Sequence, residues 1–417
     1  METELRKQFT PGKGTLATLV LVAMLNVLGG AAVAPALPAM SLAFPEASEA
    51  IISLVITLPS LAVALSGLFV GIIADRIGKA RTLVISLVVF TAMGLSGLIA
   101  PTLELLLLGR FILGIAIAGI ATASAALASE YYDEGMRAKV YGWQSAASGV
   151  SVLILETSGG FLSLLGWRAP FLVYLVGFVL LLLAALFIRE ANLASTADDA
   201  AETPKLSSTP ADERLEASTV VKAQSQKGLL QAVSFVVIAC FVAAFLSQTM
   251  SYLVPSKMPY LITTFGESSL VSGLFLGGFG IANIIGSLAS PRLQDQVPHS
   301  LIVCSCFISM ALGCVLMSVA PGIWVVLAGA VFIGLGVGCA TPLLMALVAA
   351  RSTHETSGKH MGALAMACNL GQFACTLLAG TVMAFAGTQQ AVFAVAALIG
   401  VAAAIMALIL RKRIDAS

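Results

Sequence analysis

Apolar residues in this chain occur in long, nearly unbroken runs, and polar residues gather in the short stretches between them. A helix needs about 20 apolar residues to span the hydrocarbon of a bilayer. Twelve runs meet that length, centred near Val27, Leu61, Phe90, Ala116, Val150, Val179, Val242, Gly278, Met310, Gly334, Phe373 and Val401. The pattern predicts an all-α, multi-pass membrane protein of twelve transmembrane helices. Between the sixth and seventh runs, residues 190–230 turn to Ala, Ser, Thr, Asp, Glu, Lys and Pro without apolar periodicity, which predicts a cytoplasmic linker. The expected domains are a six-helix bundle over residues 1–189, the linker over 190–230, and a second six-helix bundle over 231–417.

Composition agrees with a membrane chain: 59% of the 417 residues are hydrophobic and 10% charged, with a mean hydropathy of +1.00. The net charge of +1, with no bases interleaved among aromatics, gives no expectation of nucleic acid. Placement of charge says more than its sum. With the N-terminus inside, every one of the 22 Lys and Arg residues except Arg110, Arg168 and Lys257 falls on the cytoplasmic side, so both termini are expected there. Trp143 suits the cytoplasmic interface, and Trp167 and Trp324 the outer one. The polar N-terminus, Met1 to Gly14, leads into an apolar run too long for a cleaved signal peptide, so the first helix is expected to be retained. All seven cysteines lie in apolar runs of the second half without metal or redox spacing, and read as packing residues. The histidines, His299, His354 and His360, fall in cytoplasmic loops. No cofactor, metal site or catalytic residue is expected.

The two halves repeat each other. A shift of 220 positions lays Ala100-Pro101 on Ala320-Pro321, Gly109 on Gly329, Gly114 on Gly334, Gly142 on Gly362 and Gly160 on Gly380. The same shift lays Arg110 on Ala330 and Glu156 on Thr376, so charge is concentrated in the first half.

The most charged and glycine-marked loop of the first half reads Gly71-Ile-Ile-Ala-Asp75-Arg76-Ile-Gly78-Lys79-Ala-Arg81. Its glycines allow a tight bend and its cations hold the turn in the cytoplasm. It resembles the loop signature of the major facilitator superfamily, Gly-x-x-x-Asp-Arg-x-Gly-Arg/Lys-x-Arg/Lys, at every fixed position. In the second half, Gly286-Ser-Leu-Ala-Ser290-Pro-Arg292 keeps the glycine and an arginine but has Ser290 in place of the aspartate. Leu106-x-x-x-Arg110-x-x-x-Gly114 is similar to the superfamily's helix 4 motif, whose arginine is associated with proton coupling. Gly149 to Gly160 resembles its exporter signature at Gly149, Gly159 and Gly160, but carries Leu155-Glu156 where that signature has Gly-Pro. The resemblance implies two parallel six-helix repeats with a substrate site between them near the midplane. It also implies a gating role for Gly71, Asp75, Arg76, Gly78, Lys79 and Arg81.

A charge in hydrocarbon costs several kcal/mol unless paired or hydrated, which marks intramembrane ionisable residues as functional candidates. Arg110 lies seven residues into the fourth run and Glu156 seven residues before the end of the fifth, so both are expected ~10 Å below the outer face. A carboxyl's proton affinity depends on whether an arginine stands beside it, and arginine itself holds its proton. Glu156 is therefore the expected proton carrier and Arg110 its regulator; the bland alternative is a structural salt bridge. Candidate cavity residues are Asn26, Gln144, Tyr174, Gln248, Tyr252, Asn283, Asn369 and Gln372, each equally able to bond a neighbouring helix. Pro255 and Pro259 flank Lys257 where the seventh helix is expected to break or end. Gly334, Gly336 and Gly338 read as a close-packing surface.

The expectation is a monomeric transporter of the bacterial inner membrane that exports a small organic molecule against protons, similar to the drug and sugar efflux branch. The runner-up is a symporter or facilitator for uptake. A membrane enzyme lacks a nucleophile and base at one depth, and a non-transporting receptor gives no reason for the buried charges.

Overall fold

The computed structural model describes residues 11–26, 28–189, 216–353 and 356–415, the last turns before α8's apolar part by backbone only. Residues 1–10 with Arg6 and Lys7, Val27, residues 190–215 of the expected linker with Lys205 and Arg214, and His354 lie outside the described residues. Those described are helical throughout: α1 (Lys13–Val22), α2 (Leu37–Ala43), α3 (Glu49–Ile77), α4 (Lys79–Leu95), α5 (Leu103–Tyr131), α6 (Glu134–Leu162), α7 (Val176–Phe187), α8 (Glu216–Thr264), α9 (Ser269–Gln294), α10 (His299–Ser318), α11 (Ile323–Ala350), α12 (Ser357–Ala386), α13 (Gln389–Ile409) and α14 (Arg411–Ile414). Side-chain oxygens start four of them: Ser48, Thr102, Asp133 and Thr388 accept the first free amides of α3, α5, α6 and α13.

Eleven helices among the described residues are long and apolar enough to cross a membrane. The first apolar run is the exception. It is not the continuous helix expected around Val27, but α1 and α2 joined by short tight-helical turns at Ala23–Asn26 and Ala31–Ala36. Gly29 and Gly30 occupy the break, where Gly30 lies so close to α3 that a Cβ would fall 2.8 Å from Ile56 Cβ. The seventh helix also departs from expectation. It begins at Glu216, inside the stretch read as linker, and runs through Pro255 and Pro259 without ending until Thr264.

The repeated glycines do the same work in each half. Gly109 packs on Ser96 after α4, and Gly329 on Gly313 of α10; Gly114 of α5 packs on Pro59 and Ala62 of α3, and Gly334 of α11 on Phe279 and Ala282 of α9. Gly160 of α6 abuts Gly273 of α9, and Gly380 of α12 abuts Ala50 of α3. Gly142 and Gly362 both face open space. The halves thus meet along two equivalent seams, α3 with α12 and α6 with α9. Gly334 and Gly338 press on α9 and Gly336 on α10, so this triplet is a packing surface. Gly159 presses on the Ala32 carbonyl of the broken first segment. Gly159→Val is expected to cost about 1–3 kcal/mol of stability by overpacking, measured as earlier thermal unfolding in detergent; an unchanged melting temperature would show that the segment yields.

Candidate functional site

The break in the first apolar run leaves backbone carbonyls without helical partners, which membrane proteins tolerate only where neighbours satisfy them. Tyr174, buried in the turn Ala169–Leu175, donates its hydroxyl hydrogen to the Leu28 carbonyl at 2.6 Å. Arg110 of α5 donates Nη1 to the Tyr174 oxygen at 2.7 Å. The guanidinium also lies over the rings of Phe171 and Tyr174, at 4.5 and 4.9 Å, which supplies part of the compensation a buried cation needs. Its Nε and Nη2 have no hydrogen-bond partner. Arg110 therefore reaches the broken helix through Tyr174.

Arg110 and Glu156 are both buried, at 0% and 3% exposure. Contrary to the structural salt bridge weighed from the sequence, they are not ion-paired to each other. Glu156 stands on α6 where its backbone carbonyl meets Gly273 of α9, and its Oε2 has no partner. The repeat gives this position its meaning. Its equivalent, Thr376 of α12, exchanges a hydroxyl hydrogen bond of 2.7 Å with Thr57 of α3. The counterpart of Thr57 by the same shift is Gly277, which offers no hydroxyl. One seam is closed by two neutral hydroxyls, and the other holds a carboxyl without a partner across it.

Next to these groups the halves share a polar chain: Ser60 of α3 donates to Gln372 Oε1 at 2.6 Å, and Gln372 Nε2 donates to Gln248 at 3.3 Å. Tyr252 of α8 interacts with Ser60 and lies in electrostatic range of Glu156 and Tyr174. The structure thus brings Tyr252, Gln248 and Gln372 together in the middle of the interface. The remaining cavity candidates serve other ends. Gln144 donates to the Leu19 carbonyl, Asn369 bonds its own helix at Ala365, the Asn283 backbone is the surface on which Gly338 packs, and Asn26 is exposed on its turn.

A third buried charge was not expected. Lys257, placed on the outer face by its sequence, is 0% exposed inside α8. It meets Glu49 of α3 at 3.5 Å and the face of Tyr260 at 5.1 Å. Gln389 of α13 donates to the same Glu49 oxygen. Beside them Tyr260 shares a hydrogen bond of 2.8 Å with Ser41 and donates to the Leu37 carbonyl at 3.3 Å. This end of the interface is closed by polar contacts between α2–α3 and α8–α13.

The opposite end carries the charged loop. Gly78 joins α3 to α4 with φ of 100°, a conformation that favours glycine. Gly71 touches Thr122 across the α3–α5 packing, and Lys79 is ion-paired with Glu130 at the end of α5. Asp75, Arg76 and Arg81 are exposed. Ser290, at the degraded second loop, instead donates to the Cys339 carbonyl at 3.0 Å within its own half.

Comparison with known proteins bears on nearly all of the chain. A family model described as Major Facilitator Superfamily matches residues 19–299 and 240–417. An uncharacterized MFS-type transporter of Bacillus subtilis (strain 168), YdgK, is 24% identical over 292 residues, 67% of each chain. Among solved structures, a D-xylose-proton symporter superposes with a TM-score of 0.73 at 17% identity, covering 94% of this chain and 96% of that one. A POT family transporter in complex with a thioalcohol-conjugated peptide gives 0.73 at 13% identity, covering 97% and 99%. A bacterial homolog of the human lysosomal transporter Spinster, inward-facing and occupied, gives 0.67 at 16% identity, covering 95% of each.

Proposed function

Because this chain belongs to the major facilitator superfamily, and so carries a small substrate across a membrane, we propose that it exports a small organic molecule from the bacterial cytoplasm in exchange for protons. In this reading the broken segment Lys13–Ala43 is the first of twelve crossings, both termini are cytoplasmic, the membrane is the bacterial inner membrane, and the protein works as a monomer. The two bundles on either side of residues 190–230 rock about the seams α3–α12 and α6–α9. The Glu49 end is the outer face, so the arrangement described is closed outside, with Asp75, Gly142 and Gly362 exposed at the cytoplasmic end.

One observation carries the proton coupling: a buried carboxyl at the inter-half seam has neither its arginine nor a hydrogen bond on Oε2. Protonated, Glu156 removes a charge from that seam; ionised, it needs a cation or water. Arg110 is held on Tyr174 instead, with two nitrogens free to engage a carboxylate or an anionic substrate group when the halves move. In this reading the substrate is met between the halves by Tyr252, Gln248 and Gln372, which offer hydrogen bonds without charge. Uptake by symport is the second reading, favoured by Leu155-Glu156 in place of the exporter's Gly-Pro: α6 continues unbroken through this point. Counterflow in liposomes with and without a pH gradient tests both. Antiport predicts accumulation against proton entry, symport predicts accumulation with it, and no counterflow of any tested solute would remove the reading.

The gate contributes a smaller effect. α12 starts at Ser357 with no side-chain cap on its first amides, which leaves the positive end of its dipole available to Asp75 when the cytoplasmic face closes. Asp75→Asn is expected to shift the population two- to five-fold toward the inward-facing state, the equivalent of about 0.3–1 kcal/mol. Spin-label distances across the cytoplasmic face measure this, and unchanged distributions would remove Asp75 from the gate.

A further inference from the structure

The groove between α8 and α13, floored by α10 and α11, encloses a cavity of about 280 Å³. Phe235, Cys240 and Leu246 of α8, Phe307 of α10, Met406 of α13 and Leu410 just after it line the cavity. With apolar walls it has nothing to orient a polar substrate. Its rim is apolar as well: Ile238, Val242 and Met406 are each more than half exposed. From Phe235 to Leu246 the groove follows α8 for roughly 17 Å at 1.5 Å per residue. Half the hydrocarbon thickness of a bilayer is about 15 Å, so the groove has the length of one leaflet.

Its mouth is basic. The Arg413 guanidinium lies 4.7 Å over the ring of Phe235, the lining residue nearest the end. Arg351 donates to the carbonyl of Ile414, another lining residue, at 2.7 Å. Lys412 is exposed. The acidic neighbour, Asp415, is engaged elsewhere: it accepts from Ser300 N and Oγ at 2.9 and 2.6 Å and meets Arg411 at 3.7 Å. Cations therefore stand at headgroup level directly above a slot one acyl chain long.

We propose that this groove is a binding site for one anionic phospholipid, its chain between α8 and α13 and its phosphate on Lys412 and Arg413. The site is separate from the central interface and does not depend on the transport reading. Near a membrane surface each basic residue contributes about 1 kcal/mol toward an anionic lipid, or roughly fivefold in affinity.

The test is native mass spectrometry of the full chain equilibrated with equal amounts of phosphatidylglycerol and phosphatidylcholine of identical acyl composition. The wild type should retain one phosphatidylglycerol in preference to phosphatidylcholine. Lys412→Gln with Arg413→Gln, both exposed, should weaken that retention roughly 30-fold. Ala243→Phe, which fills the groove, should release the retained lipid whatever its headgroup. Because a bulky substitution in a wall can also unfold the chain, each variant's melting temperature is read alongside. Equal retention of the two lipids, retention unaffected by the charge changes, or dimers in place of lipid adducts would overturn the proposal. Loss of retention in the charge variant with none in a folded Ala243→Phe would place the lipid on the surface and overturn the groove.

Discussion

Glu156→Gln is expected to abolish substrate accumulation driven by a pH gradient while leaving substrate binding and one-for-one exchange in place. Glutamine keeps the volume and the hydrogen-bonding capacity of a protonated carboxyl but cannot take up or release a proton. Oε2 has no partner in this arrangement, so the substitution removes no hydrogen bond from that oxygen, and stability should change little. Arg110→Ala behaves differently. It removes the donor to Tyr174 and the stacking on Phe171, and so loosens the tyrosine that holds the Leu28 carbonyl. Coupling and stability should then fall together, the latter by about 2–4 kcal/mol for a cavity and a weakened buried network. The measurements are proteoliposome uptake with an imposed gradient, exchange at equilibrium, and thermal unfolding. A Glu156→Gln protein that still concentrates substrate like the parent would relegate Glu156 to a structural role.

Glu49→Ala should produce the second large effect, at the other end of the cycle. Removing it strands a fully buried ammonium, which costs 2–5 kcal/mol in comparable pairs. The lower end, about 2 kcal/mol, applies because the Glu49 side chain is 36% exposed and the pair is 3.5 Å apart. Opening the outer face hydrates Lys257 and relieves that cost, so the population should move roughly 30-fold toward outward-facing. Spin-label distances across the outer face read the shift. Glu49→Ala combined with Lys257→Met removes both charges and should restore closure, since exchanging a whole buried pair for apolar groups is close to neutral. A closed distribution unchanged in Glu49→Ala would show that Ser41, Tyr260 and Leu37 hold the face without the ion pair. The shift is opposite in sign to that of Asp75→Asn and several times larger.

The positions of Arg110 and Glu156 follow from where apolar runs begin and end, because a helix advances a fixed distance per residue. α5 does begin at Leu103 and α6 ends at Leu162. Packing between repeats was legible too, because glycines at helix contacts are needed wherever backbones touch. The broken first segment was not: an apolar run remains apolar whether or not Gly29 and Gly30 interrupt it, and the carbonyl that stabilises the break is met by Tyr174 from 146 positions away. The burial of Lys257 was missed for a similar reason. Two prolines suggested a helix end, whereas its burial depends on Glu49, 208 positions distant. Thr57, Ser60 and Thr376 are too mildly polar to mark a membrane helix, and their role appears only when the seams are assembled. Gln144 and Asn369 show the converse, side chains spent on a backbone carbonyl rather than on a cavity.

If the proposed cycle holds, the inequality of the two seams sets a ceiling on the gradient the protein can build. Thr376 and Thr57 exchange only a neutral hydrogen bond, so in the proposed cycle a single carboxyl, Glu156, is loaded per turnover. One elementary charge crossing the membrane supplies about 2.3 kcal/mol per 100 mV. For an uncharged solute moved one-for-one against a proton, that is a steady-state concentration ratio of roughly 50 for each 100 mV of proton-motive force. Thr376→Glu would install a second carboxyl at the equivalent place and, if it were loaded too, square that ratio.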